Sequence, residues 1–431
     1  MRNESKRTLP AAIVVLCALS IMAGACFAEP SQNEGFVSLF NGEDLSGWEG
    51  DPRLWSVEDG VIRGETTKDK QAHGNTFLIW KGGKLKNFIL RYKFRLEDGN
   101  SGVQYRSSVT DKWRAIGYQA EVSNGLGDVG ELYDEGKRSH LARVGQFTIV
   151  GDGGKPETVG QVASKSHLKE VEYYKPGEWN EYTVIGRGNH LVQYVNGYQT
   201  VEVIDNDSDK RAMEGVLALQ IHSGAPMAVE YKDIRVKHLD ARYGEARRLF
   251  NGNDLDGWEI PIEGLKDAWE VKDGVLATSG KPKGYIRTKE KYTNYVLRFQ
   301  FRHLTKGNGG ALLRIQGEDK VWPKSIEAQG MYGNVGDIFN IGNFSMKTDP
   351  ERHGGRRTKK LHESSERPLG DWNNYEIVLN GGDLSLYVNR VLQNHARECA
   401  ELPGYIGLQS EGSKMQFRNI VLIPIKNDDD S

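Results

Sequence analysis

Hydrophobic and polar residues alternate with a period of two along several stretches of the chain. From Phe88 to Leu96 every second residue is apolar and most positions between them are basic, and a similar alternation runs from Tyr295 to Phe301. Successive side chains of a β-strand point to opposite faces, so this pattern predicts strands with one face on a core and the other toward water or a cleft. No long amphipathic helix is evident, which indicates an all-β fold.

Short turns separate these stretches. Asn196-Gly197 stands between two strand-like runs in "HLVQYVNGYQTVEV", which is a strong signal for a β-hairpin. Asn389-Arg390 takes the equivalent place later in the chain, where asparagine must accept a left-handed turn without help from glycine. Many short strands joined by such turns predict antiparallel β-sandwiches.

Five sequence blocks occur twice in the same order. They pair "FNGEDLSGW" from Phe40 with "FNGNDLDGW" from Phe250, "WSVEDGVIRG" with "WEVKDGVLATSG", "NFILRYKFRLEDGNSG" with "NYVLRFQFRHLTKGNGG", "WNEYTVI" with "WNNYEIV", and "LALQIHSG" with "IGLQSEGS". The period is too long for a solenoid and indicates a tandem duplication. We therefore expect two sandwich domains, residues 35–240 and 248–426, joined near Asp240 to Arg247.

The first 28 residues differ from the rest of the chain. Arg2, Lys6 and Arg7 precede the apolar run "AAIVVLCALSIMAGA", which has the length of a signal-peptide core and is too short to span a membrane comfortably. We expect a signal peptide over residues 1–28, and hence export to the periplasm or the extracellular space. Lipid anchoring at Cys26 is disfavoured, because the residue three positions earlier is alanine instead of a branched aliphatic.

Composition excludes several classes of protein. Lysine and arginine number 57 against 59 aspartates and glutamates, a formal net charge of −2, which argues against a nucleic-acid partner. No segment after residue 28 is apolar enough to cross a membrane. Two of the three cysteines lie in the leader, so the exported chain keeps Cys399 and has no internal disulfide framework.

A polar cluster interrupts the strand pattern between Gly117 and Gly145. It combines carboxylate, amide, aromatic and guanidinium groups among several glycines: Gln119, Glu121, Glu131, Tyr133, Asp134, Glu135, Arg138 and His140. Gln119 and Glu121 are two residues apart and would share one face of a strand, which favours a common cleft. The alternative is a solvated loop whose side chains point outward.

The ordered blocks resemble those of the 3-keto-disaccharide hydrolase family. The motifs are "LFNGxDLxGW", "WxVxDGV", "GNSG", "WNxY" and "LQxHSG" followed by "VxYKDI", and the resemblance covers about Gly35 to Leu239 and Arg248 to Ile425. It implies two concanavalin A-like jelly-roll domains in an exported, carbohydrate-active protein. This implied fold agrees with the strand pattern.

The resemblance also implies a reaction. A ketone at C3 of a sugar acidifies the proton at C2, so a base can remove that proton and the group at C1 leaves by elimination; water then adds to complete a hydrolysis. Such chemistry needs a positioned base, a stabiliser for the enolate oxygen and a proton donor for the leaving oxygen. It does not need the two flanking carboxylates of ordinary glycosidases.

In the first domain four residues are candidates for this chemistry. We expect His222 as base or acid, Glu121 as its partner or as the base, and Arg106 with Gln119 around the developing oxyanion. Each has a structural alternative. Glu121 could be a solvated strand residue, His222 a turn histidine and Arg106 an outward-pointing strand residue.

Three further residues of the first domain are expected to bind substrate on the same concave face: Tyr133, Glu135 and Arg138. The alternative for Arg138 is a surface ion pair with Glu135, worth less than about 1 kcal/mol.

The equivalent face of the second domain is expected to carry six substrate-binding residues: Arg314, Trp322, Glu327, Gln329, Asp337 and Glu411. Relative to Gln119 and Glu121, the acid and the amide exchange places in this domain, so the two domains need not share an activity. Trp322 could stack on a sugar ring or pack beneath a loop. The basic stretch 353–368 is predicted to be an exposed loop in preference to an anion site.

Metal binding is left open by the sequence. The ten histidines show neither an HExxH motif nor a paired-cysteine spacing, which gives zinc little support. Carboxylate and carbonyl oxygens in the glycine-rich loops could hold a structural or catalytic divalent cation such as Ca²⁺.

Two functional hypotheses follow. The first is a secreted enzyme that cleaves 3-keto-glycosides or 3-keto-disaccharides by abstraction of the C2 proton, with elimination or hydrolysis at C1. The second is a non-catalytic, lectin-like carbohydrate-binding protein, because one sandwich fold can serve both roles. Either hypothesis makes a carbohydrate the partner.

Overall fold

The computed structural model describes residues 34–125 and 127–426. The predicted signal peptide, with Cys17 and Cys26, lies outside these residues. In the described part of the chain nearly all regular structure is β-strand, accompanied by one α-helix and two short 3-10 helices. The prediction of an all-β, antiparallel sandwich fold is confirmed.

The first half of the described chain, residues 34–240, contains the helix α1 (Lys165–Glu170). Its strands are β1 (Val37–Ser38), β2 (Trp48–Glu49), β3 (Trp55–Glu58), β4 (Val61–Thr66), β5 (Thr76–Trp80), β6 (Phe88–Asp98), β7 (Asn100–Asp111), β8 (Arg114–Ser123), β9 (Leu132–Glu135), β10 (Ser139–Ala142), β11 (Gln146–Val150), β12 (Pro156–Gln161), β13 (Asn180–Arg187), β14 (His190–Val195), β15 (Tyr198–Asp205), β16 (Val216–Ile221) and β17 (Met227–His238).

The second half, residues 241–426, contains the 3-10 helices Lys266–Ala268 and Pro350–Arg352. Its strands are β18 (Arg242–Tyr243), β19 (Arg247–Arg248), β20 (Trp258–Glu259), β21 (Trp269–Lys272), β22 (Val275–Thr278), β23 (Gly284–Thr288), β24 (Tyr295–His303), β25 (Gly310–Gln316), β26 (Lys324–Gln329), β27 (Ile338–Ile341), β28 (His353–Gly354), β29 (Arg357–Thr358), β30 (Asn373–Asn380), β31 (Asp383–Val388), β32 (Val391–Ala396), β33 (Tyr405–Ser410) and β34 (Met415–Lys426).

Two sheets enclose the core of the first half. Sheet A has the order β12-β11-β15-β14-β13-β6-β17-β4-β3, with β1 paired to β17, and sheet B has the order β10-β9-β8-β7-β16-β5-β2. Their described neighbours are antiparallel apart from the parallel pair β11 and β15. Alternate residues of β6, among them Leu90, Tyr92 and Phe94, share one core with Tyr105 and Leu219 of sheet B. The predicted inward face of β6 is therefore confirmed.

The second half repeats this arrangement. Sheet C has the order β21-β22-β34-β24-β30-β31-β32, with β18 and β19 paired to β34, and sheet D has the order β20-β23-β33-β25-β26-β27-β29-β28. Leu297 and Phe299 of sheet C share a core with Leu313 and Leu408 of sheet D. The two halves thus use the same pair of layers, as expected of a duplication.

The second face of β24 does not meet water or a cleft, contrary to the expectation from its alternating sequence. Val296 of this strand shares an apolar cluster with Phe147 and Ile204 of the first half. Gln300 donates a hydrogen bond to the carbonyl oxygen of Val162, at 2.9 Å. The outer faces of sheets A and C are therefore in contact, and β24 is buried on both sides because the first half covers its outer face.

The two predicted hairpins are confirmed by their backbone angles. Asn196 and Gly197 have φ of 47° and 82° and join β14 to β15, and Asn389 and Arg390 have φ of 48° and 71° and join β31 to β32. Positive φ at both central residues is the geometry that suits the twist of a two-residue hairpin. In the second hairpin Arg390 adopts this conformation without the freedom of glycine.

A bulge folds the tip of the β7–β8 hairpin across sheet B. The pairing of β7 with β8 shifts register between Tyr105 and Ser108, and Arg106 between them has φ of 50°. Such bulges bend the strand that carries them. Beyond the bend the tip reaches β5, where the backbone N–H of Phe77 donates to the carbonyl oxygen of Trp113 at 2.8 Å. The tip therefore walls one side of the outer face of sheet B.

Candidate functional site

A polar cleft of about 360 Å³ lies on the outer face of sheet B. The core-facing residues of β8 include Ala120 and Val122, so the alternate residues Gln119 and Glu121 face the cleft. The lining residues come from β7, β8, β9, β10 and β16 and from the segments that follow β8, β10 and β16: Asn100, Gln119, Glu121, Asp128, Glu131, Tyr133, Glu135, His140, Arg143, Gln220 and His222.

Glu121 lies at the centre of a hydrogen-bonded amide–carboxylate group. Gln119 donates from Nε2 to Oε2 of Glu121 at 2.9 Å and to Oε1 of Gln220 at 3.3 Å, and Asn100 donates from Nδ2 to Oε1 of Glu121. Burial raises the pKa of Glu121 to about 7, against the two amide hydrogen bonds, which lower it. The carboxyl group can therefore change protonation near neutral pH, as a general base must.

His222 lines the same cleft from the segment directly after β16. Its side chain is exposed, and its Nδ1 lies 2.6 Å from the carbonyl oxygen of Ser223. A carbonyl oxygen accepts hydrogen bonds and cannot donate them, so the proton of this contact lies on Nδ1 and Nε2 is left for another partner. The sandwich topology brings His222 to Glu121 because β16 and β8 are both neighbours of β7.

Glu131 and His140 form a second acid–imidazole pair in the cleft. The Oε2 atom of Glu131 lies 2.9 Å from Nδ1 of His140, and Oε1 lies 3.4 Å from Nη1 of Arg143. Burial raises the pKa of Glu131, and the neighbouring Arg143 and His140 oppose that rise. The ring of Tyr133 meets the ring of His140 edge-on, with the centroids 5.0 Å apart.

The sequence reasoning placed Glu131 and His140 in the polar cluster but gave neither a role. It also passed over Asn100 and Gln220, although both lie in repeated blocks, "GNSG" and "LQIHSG". Gln220 is fully buried on the cleft wall, and its Nε2 has no hydrogen-bond partner among the described residues. A free amide donor at this wall is available to a ligand oxygen.

Arg106 does not reach the cleft, which corrects its expected role at the oxyanion. Its side chain is 1% exposed and donates to backbone carbonyl oxygens: Nε to that of Lys86 at 2.7 Å and Nη1 to those of Gly188 at 2.7 Å and Ala212 at 3.4 Å. The bulge turns this residue toward the interior, where the guanidinium satisfies otherwise unpaired carbonyl groups. Neither the catalytic nor the outward-pointing alternative applies.

Arg138, expected to bind substrate, is also absent from the cleft lining, and the alternative of a surface ion pair with Glu135 is wrong as well. Its side chain is 4% exposed and contacts Asp134 at 2.6 Å, Asp205 at 2.8 Å and Asp207 at 3.3 Å. These ion pairs tie the β9–β10 turn to the end of β15, so Arg138 is structural. Tyr133 and Glu135, by contrast, do line the cleft.

In the second half, Glu327, Glu411 and Trp322 come together at the equivalent face of sheet D. Trp322 donates from Nε1 to Oε1 of Glu411 at 3.2 Å, and Gln409 donates from Nε2 to Oε2 of Glu411 at 3.1 Å. Trp322 is 42% exposed, so it does not pack beneath a loop. Burial and the charge of Glu411 raise the pKa of Glu327 to about 8, although Arg356 and Gln409 oppose this.

Two other residues expected to bind substrate in the second half have structural contacts instead. Gln329 accepts hydrogen bonds at Oε1 from the backbone N–H groups of Gly330 and Met331, at 2.8 and 2.9 Å. Asp337 is fully buried and pairs with Arg357, whose Nε lies 2.6 Å from Oδ2. Oε1 of Gln329 is therefore engaged by the local backbone, and the carboxylate of Asp337 is engaged in a buried ion pair.

Arg314 repeats the contacts of Arg106 and is likewise not a substrate-binding residue. It has φ of 50° and donates to the carbonyl oxygens of Thr293, Gly381 and Ala400, at 2.9, 2.9 and 2.6 Å. The stretch 353–368, predicted as a loop, contains the short strands β28 and β29. Arg357 in this stretch forms an ion pair with Asp337, so one of the basic residues of the stretch has a structural role.

The polar faces of sheets B and D differ at the position of His222. Gln220 and His222 in "LQIHSG" correspond to Gln409 and Glu411 in "LQSEGS". The second half therefore has a carboxylate in place of a histidine, next to a glutamic acid whose raised pKa keeps it protonated at neutral pH. The halves offer different chemistry on the same scaffold.

In residues 34–125 and 127–426, no group of three or more His, Cys, Asp or Glu side chains is arranged to hold a metal ion. Within the same residues, none of the helices has the length and apolar character that a membrane span requires.

The fold and the site define an all-β, two-sandwich protein with a carboxylate–amide–imidazole cleft on one sheet. The family model for the 3-keto-alpha-glucoside-1,2-lyase-like domain matches residues 35–237 and 245–423, and the chain belongs to this family. The family resemblance read from the repeated blocks is thus confirmed in both halves.

Individual relatives match less of the chain. A 3-keto-disaccharide hydrolase of Bacteroides thetaiotaomicron is 33% identical over 92 residues, which are 19% of this chain and 31% of that protein. Among solved structures, a candidate glycosyl hydrolase of Parabacteroides distasonis is similar at 20% identity and a TM-score of 0.34, over 42% of this chain and 94% of that one. A β-glucanase of Bacillus licheniformis is similar at 11% identity and a TM-score of 0.32, over 42% and 99%.

Proposed function

We propose that the first half of this chain cleaves 3-keto-glycosides at C1, with Glu121 as the general base. The observation that carries the proposal is the position of Glu121, held by two amide donors in a cleft that also contains His222. The two amide hydrogen bonds orient the Glu121 carboxylate, and its pKa of about 7 makes it a stronger base than an exposed glutamate.

The arrangement of Glu121, Gln220 and His222 in the cleft supports a sequence of proton transfers. The Glu121 carboxylate takes the C2 proton, the C2–H electrons form an enolate, and the charge develops on the C3 oxygen. The unpaired Nε2 of Gln220 is the amide on the cleft wall that can donate to that oxygen. Collapse of the enolate restores the C3 ketone, forms the C1–C2 double bond and breaks the bond from C1 to the leaving oxygen.

His222 completes the elimination. Because Nδ1 is held by the carbonyl oxygen of Ser223, Nε2 of the imidazolium form is the proton donor to the departing oxygen. Addition of water across the C1–C2 double bond then yields the hydrolysed 3-keto sugar. The second half has Glu411 in place of this imidazole, which supports assigning catalysis to the first half.

The second half fits carbohydrate binding better than catalysis. Its exposed Trp322 lies next to Glu411, and an aromatic face beside a hydrogen-bonding carboxylate suits a sugar ring. We assign to it the lectin-like role within the same chain.

The test uses the protein with both halves, as recovered after export, with methyl 3-keto-α-glucopyranoside and its non-oxidised parent. Mass spectrometry should detect cleavage of the keto sugar alone. Glu121→Gln should lower kcat by about 10²–10⁴-fold, the usual contribution of a general base. The matched variant Glu327→Gln changes the corresponding acid of the second half and should retain activity within a few-fold of wild type.

Binding of sugars without cleavage of any keto-glycoside would instead establish the lectin hypothesis for the whole chain. Equal losses in Glu121→Gln and Glu327→Gln would contradict the assignment of catalysis to the first half.

Export is proposed from residues 1–28, whose basic start and apolar run have the pattern of a signal peptide. Amino-terminal sequencing of the protein recovered outside the cytoplasm should find a start between Cys26 and Glu29. Recovery of a chain that still begins at Met1 would contradict this.

A further inference from the structure

No described carboxylate contacts the guanidinium of Arg91, which lies on the outer face of β6. The outward residues that follow on this strand are paired: Nζ of Lys93 lies 2.8 Å from Oδ2 of Asp233, and Arg95 donates from Nε to Oε2 of Glu230 at 2.6 Å. The side chain of Arg91 is partly buried, and its Nε has no hydrogen-bond partner among the described residues. Arg91 is therefore an exception on this face.

The register of the strands places two further guanidinium groups beside Arg91. Arg235 of β17 lies directly opposite Arg91 on one side, and Thr183 of β13 lies directly opposite on the other side. The hydroxyl of Thr183 accepts a hydrogen bond from Nη2 of Arg390, a residue of the second half, at 2.7 Å. Neighbouring strands are about 4.8 Å apart. The three arginines thus form one row across β17, β6 and β13.

The ring of Phe36 holds one end of this row in place. Its centroid lies 4.7 Å from Cζ of Arg91 and 5.8 Å from Cζ of Arg235. An aromatic ring attracts the charge of a guanidinium but does not take up the N–H donors in its plane. Those of Arg91 are therefore available to the oxygen atoms of a ligand.

The neighbouring charges leave the row short of a counter-ion. Burial and the charges of Arg390 and Arg235 lower the pKa of Arg91 to about 10, although the charge of Glu181 opposes this. Arg91 is thus still a cation at neutral pH. Glu181 is shared with Arg390, whose Nη2 lies 3.3 Å from its Oε1. Cations held close together in a partly buried place destabilise one another, and a bound anion would remove that effect.

We propose that Arg91, flanked by Arg235 and Arg390, binds a tetrahedral oxyanion, which is a sulfate or phosphate group. Guanidinium groups recognise such oxyanions through pairs of parallel, charge-assisted N–H···O contacts. The site lies on the outer face of sheet A, whereas the cleft of Glu121 lies on the outer face of sheet B. The proposal therefore goes beyond the proposed cleavage of keto sugars and does not depend on it.

Calorimetric titration of the protein with sodium sulfate, at an ionic strength held constant with sodium chloride, tests the site. Arg91→Gln should raise the Kd for sulfate about tenfold or more, because it removes the charge and the paired donors. Arg91→Lys keeps the charge without the planar fork and should fall between wild type and Arg91→Gln. An unchanged Kd in Arg91→Gln would overturn the proposal.

Lys93→Gln is the matched control for this titration. Lys93 is 42% exposed, lies on the same face of the same strand and is already paired with Asp233. Its replacement removes the same charge, so it measures the general electrostatic contribution of the face and should change the Kd by no more than about threefold. A loss as large as that of Arg91→Gln would show that sulfate responds only to the overall charge.

Thermal unfolding separates lost binding from lost folding. Without sulfate, Arg91→Gln should be at least as stable as wild type, because it removes a cation that lies between two others. Millimolar sulfate should raise the Tm of wild type and of Lys93→Gln, and it should leave the Tm of Arg91→Gln unchanged. An equal rise in all three proteins would be the general effect of sulfate on protein surfaces and would contradict a site at Arg91.

The contribution of the second half is tested with Arg390→Gln. This change removes one guanidinium and leaves Glu181 without it, so the variant should bind sulfate more weakly than wild type. Sulfate binding that is indifferent to Arg390 would contradict the row of three arginines.

Three probes distinguish the sources of the oxyanion: inorganic phosphate, inorganic sulfate and glucose 6-sulfate, with glucose as the neutral comparison. Tighter binding of glucose 6-sulfate than of either inorganic ion would assign the site to a group carried by a sugar. Equal or tighter binding of the inorganic ions would assign it to the free ion. Failure of all three charged probes to bind would overturn the site and leave the proposed cleavage untouched.

Discussion

Arg187 of β13 and Glu376 of β30 form a two-point ion pair across the contact between the two halves. Nη1 of Arg187 lies 3.0 Å from Oε2 of Glu376, and Nη2 lies 2.7 Å from Oε1. Arg298 contacts the same carboxylate, and its Nη2 donates to the hydroxyl of Tyr194 at 2.9 Å. The halves are therefore held together by a buried charge network as well as by apolar contacts.

Loss of the Glu376 carboxylate should destabilise the protein strongly. Glu376→Ala leaves Arg187 and Arg298 buried without their shared counter-charge, and breaking a buried pair in this way costs about 3–5 kcal/mol. Urea denaturation should report this loss. Glu398→Ala is the control, because its pair with Lys347 is about two-thirds exposed on both sides and should contribute less than about 1 kcal/mol.

The same carboxylate should make stability depend on acid. Burial alone would raise the pKa of Glu376, but the charges of Arg187 and Arg298 outweigh burial and lower it to about 2. The unfolded chain binds the proton at higher pH, so this contribution is complete above about pH 5 and declines as the pH falls toward 2. Over that interval the free energy of unfolding should fall further for wild type than for Glu376→Ala. If it fell in parallel for the two proteins, the ion pairs of Glu376 would not have the proposed effect.

Activity on a 3-keto-glycoside should rise with pH through about 7. The cause is deprotonation of Glu121, whose pKa burial raises to about that value. The profile of kcat/KM reports the free enzyme, so the ascending limb should be present in wild type and absent from the residual activity of Glu121→Gln. A profile that is flat between pH 5 and 9 would exclude Glu121 as the base.

Arg106 and Arg314 should matter for stability and not for substrate affinity. Arg106→Met leaves the carbonyl groups of Lys86, Gly188 and Ala212 without their shared donor, at about 1–3 kcal/mol for each unsatisfied buried group. Chemical denaturation should show a loss of at least about 3 kcal/mol, and Arg314→Met a similar one. Arg53→Met, at a half-exposed arginine, serves as control. A stable Arg106→Met protein with a raised KM would restore the catalytic interpretation.

Glu327 should destabilise the second half as the pH rises. Burial, aided by the charge of Glu411, raises its pKa to about 8, and its Oε1 has no partner among the described residues. The unfolded chain releases this proton near the ordinary value of 4.5, so stability falls between about pH 4.5 and 8. The Tm of Glu327→Gln minus the Tm of wild type should therefore increase from pH 5 to pH 9. A constant difference would show that Glu327 does not titrate in this way.

The sequence by itself determined the features that depend on near neighbours in the chain. A period of two predicts strands and their inward faces because the backbone of a strand imposes that period on every side chain. For the same reason the side chains of Gln119 and Glu121 had to share a face, and they are hydrogen-bonded. The turns at Asn196 and Asn389 were readable because few residues accept positive φ. The duplication was readable from repeated blocks without any structure.

Only the tertiary structure decided which polar side chains meet a ligand and which meet the protein itself. Arg106 and Arg298 both alternate with apolar residues, as solvent-facing positions do. A bulge nevertheless turns Arg106 inward, and the first half of the molecule covers Arg298. Arg138 finds Asp205 on a distant strand, a pairing that its neighbours in sequence do not indicate. His222 reaches the cleft of Glu121 because strand order, which long-range packing sets, places β16 and β8 on either side of β7. Side-chain identity states what chemistry is available, and sheet order and register determine where it is assembled.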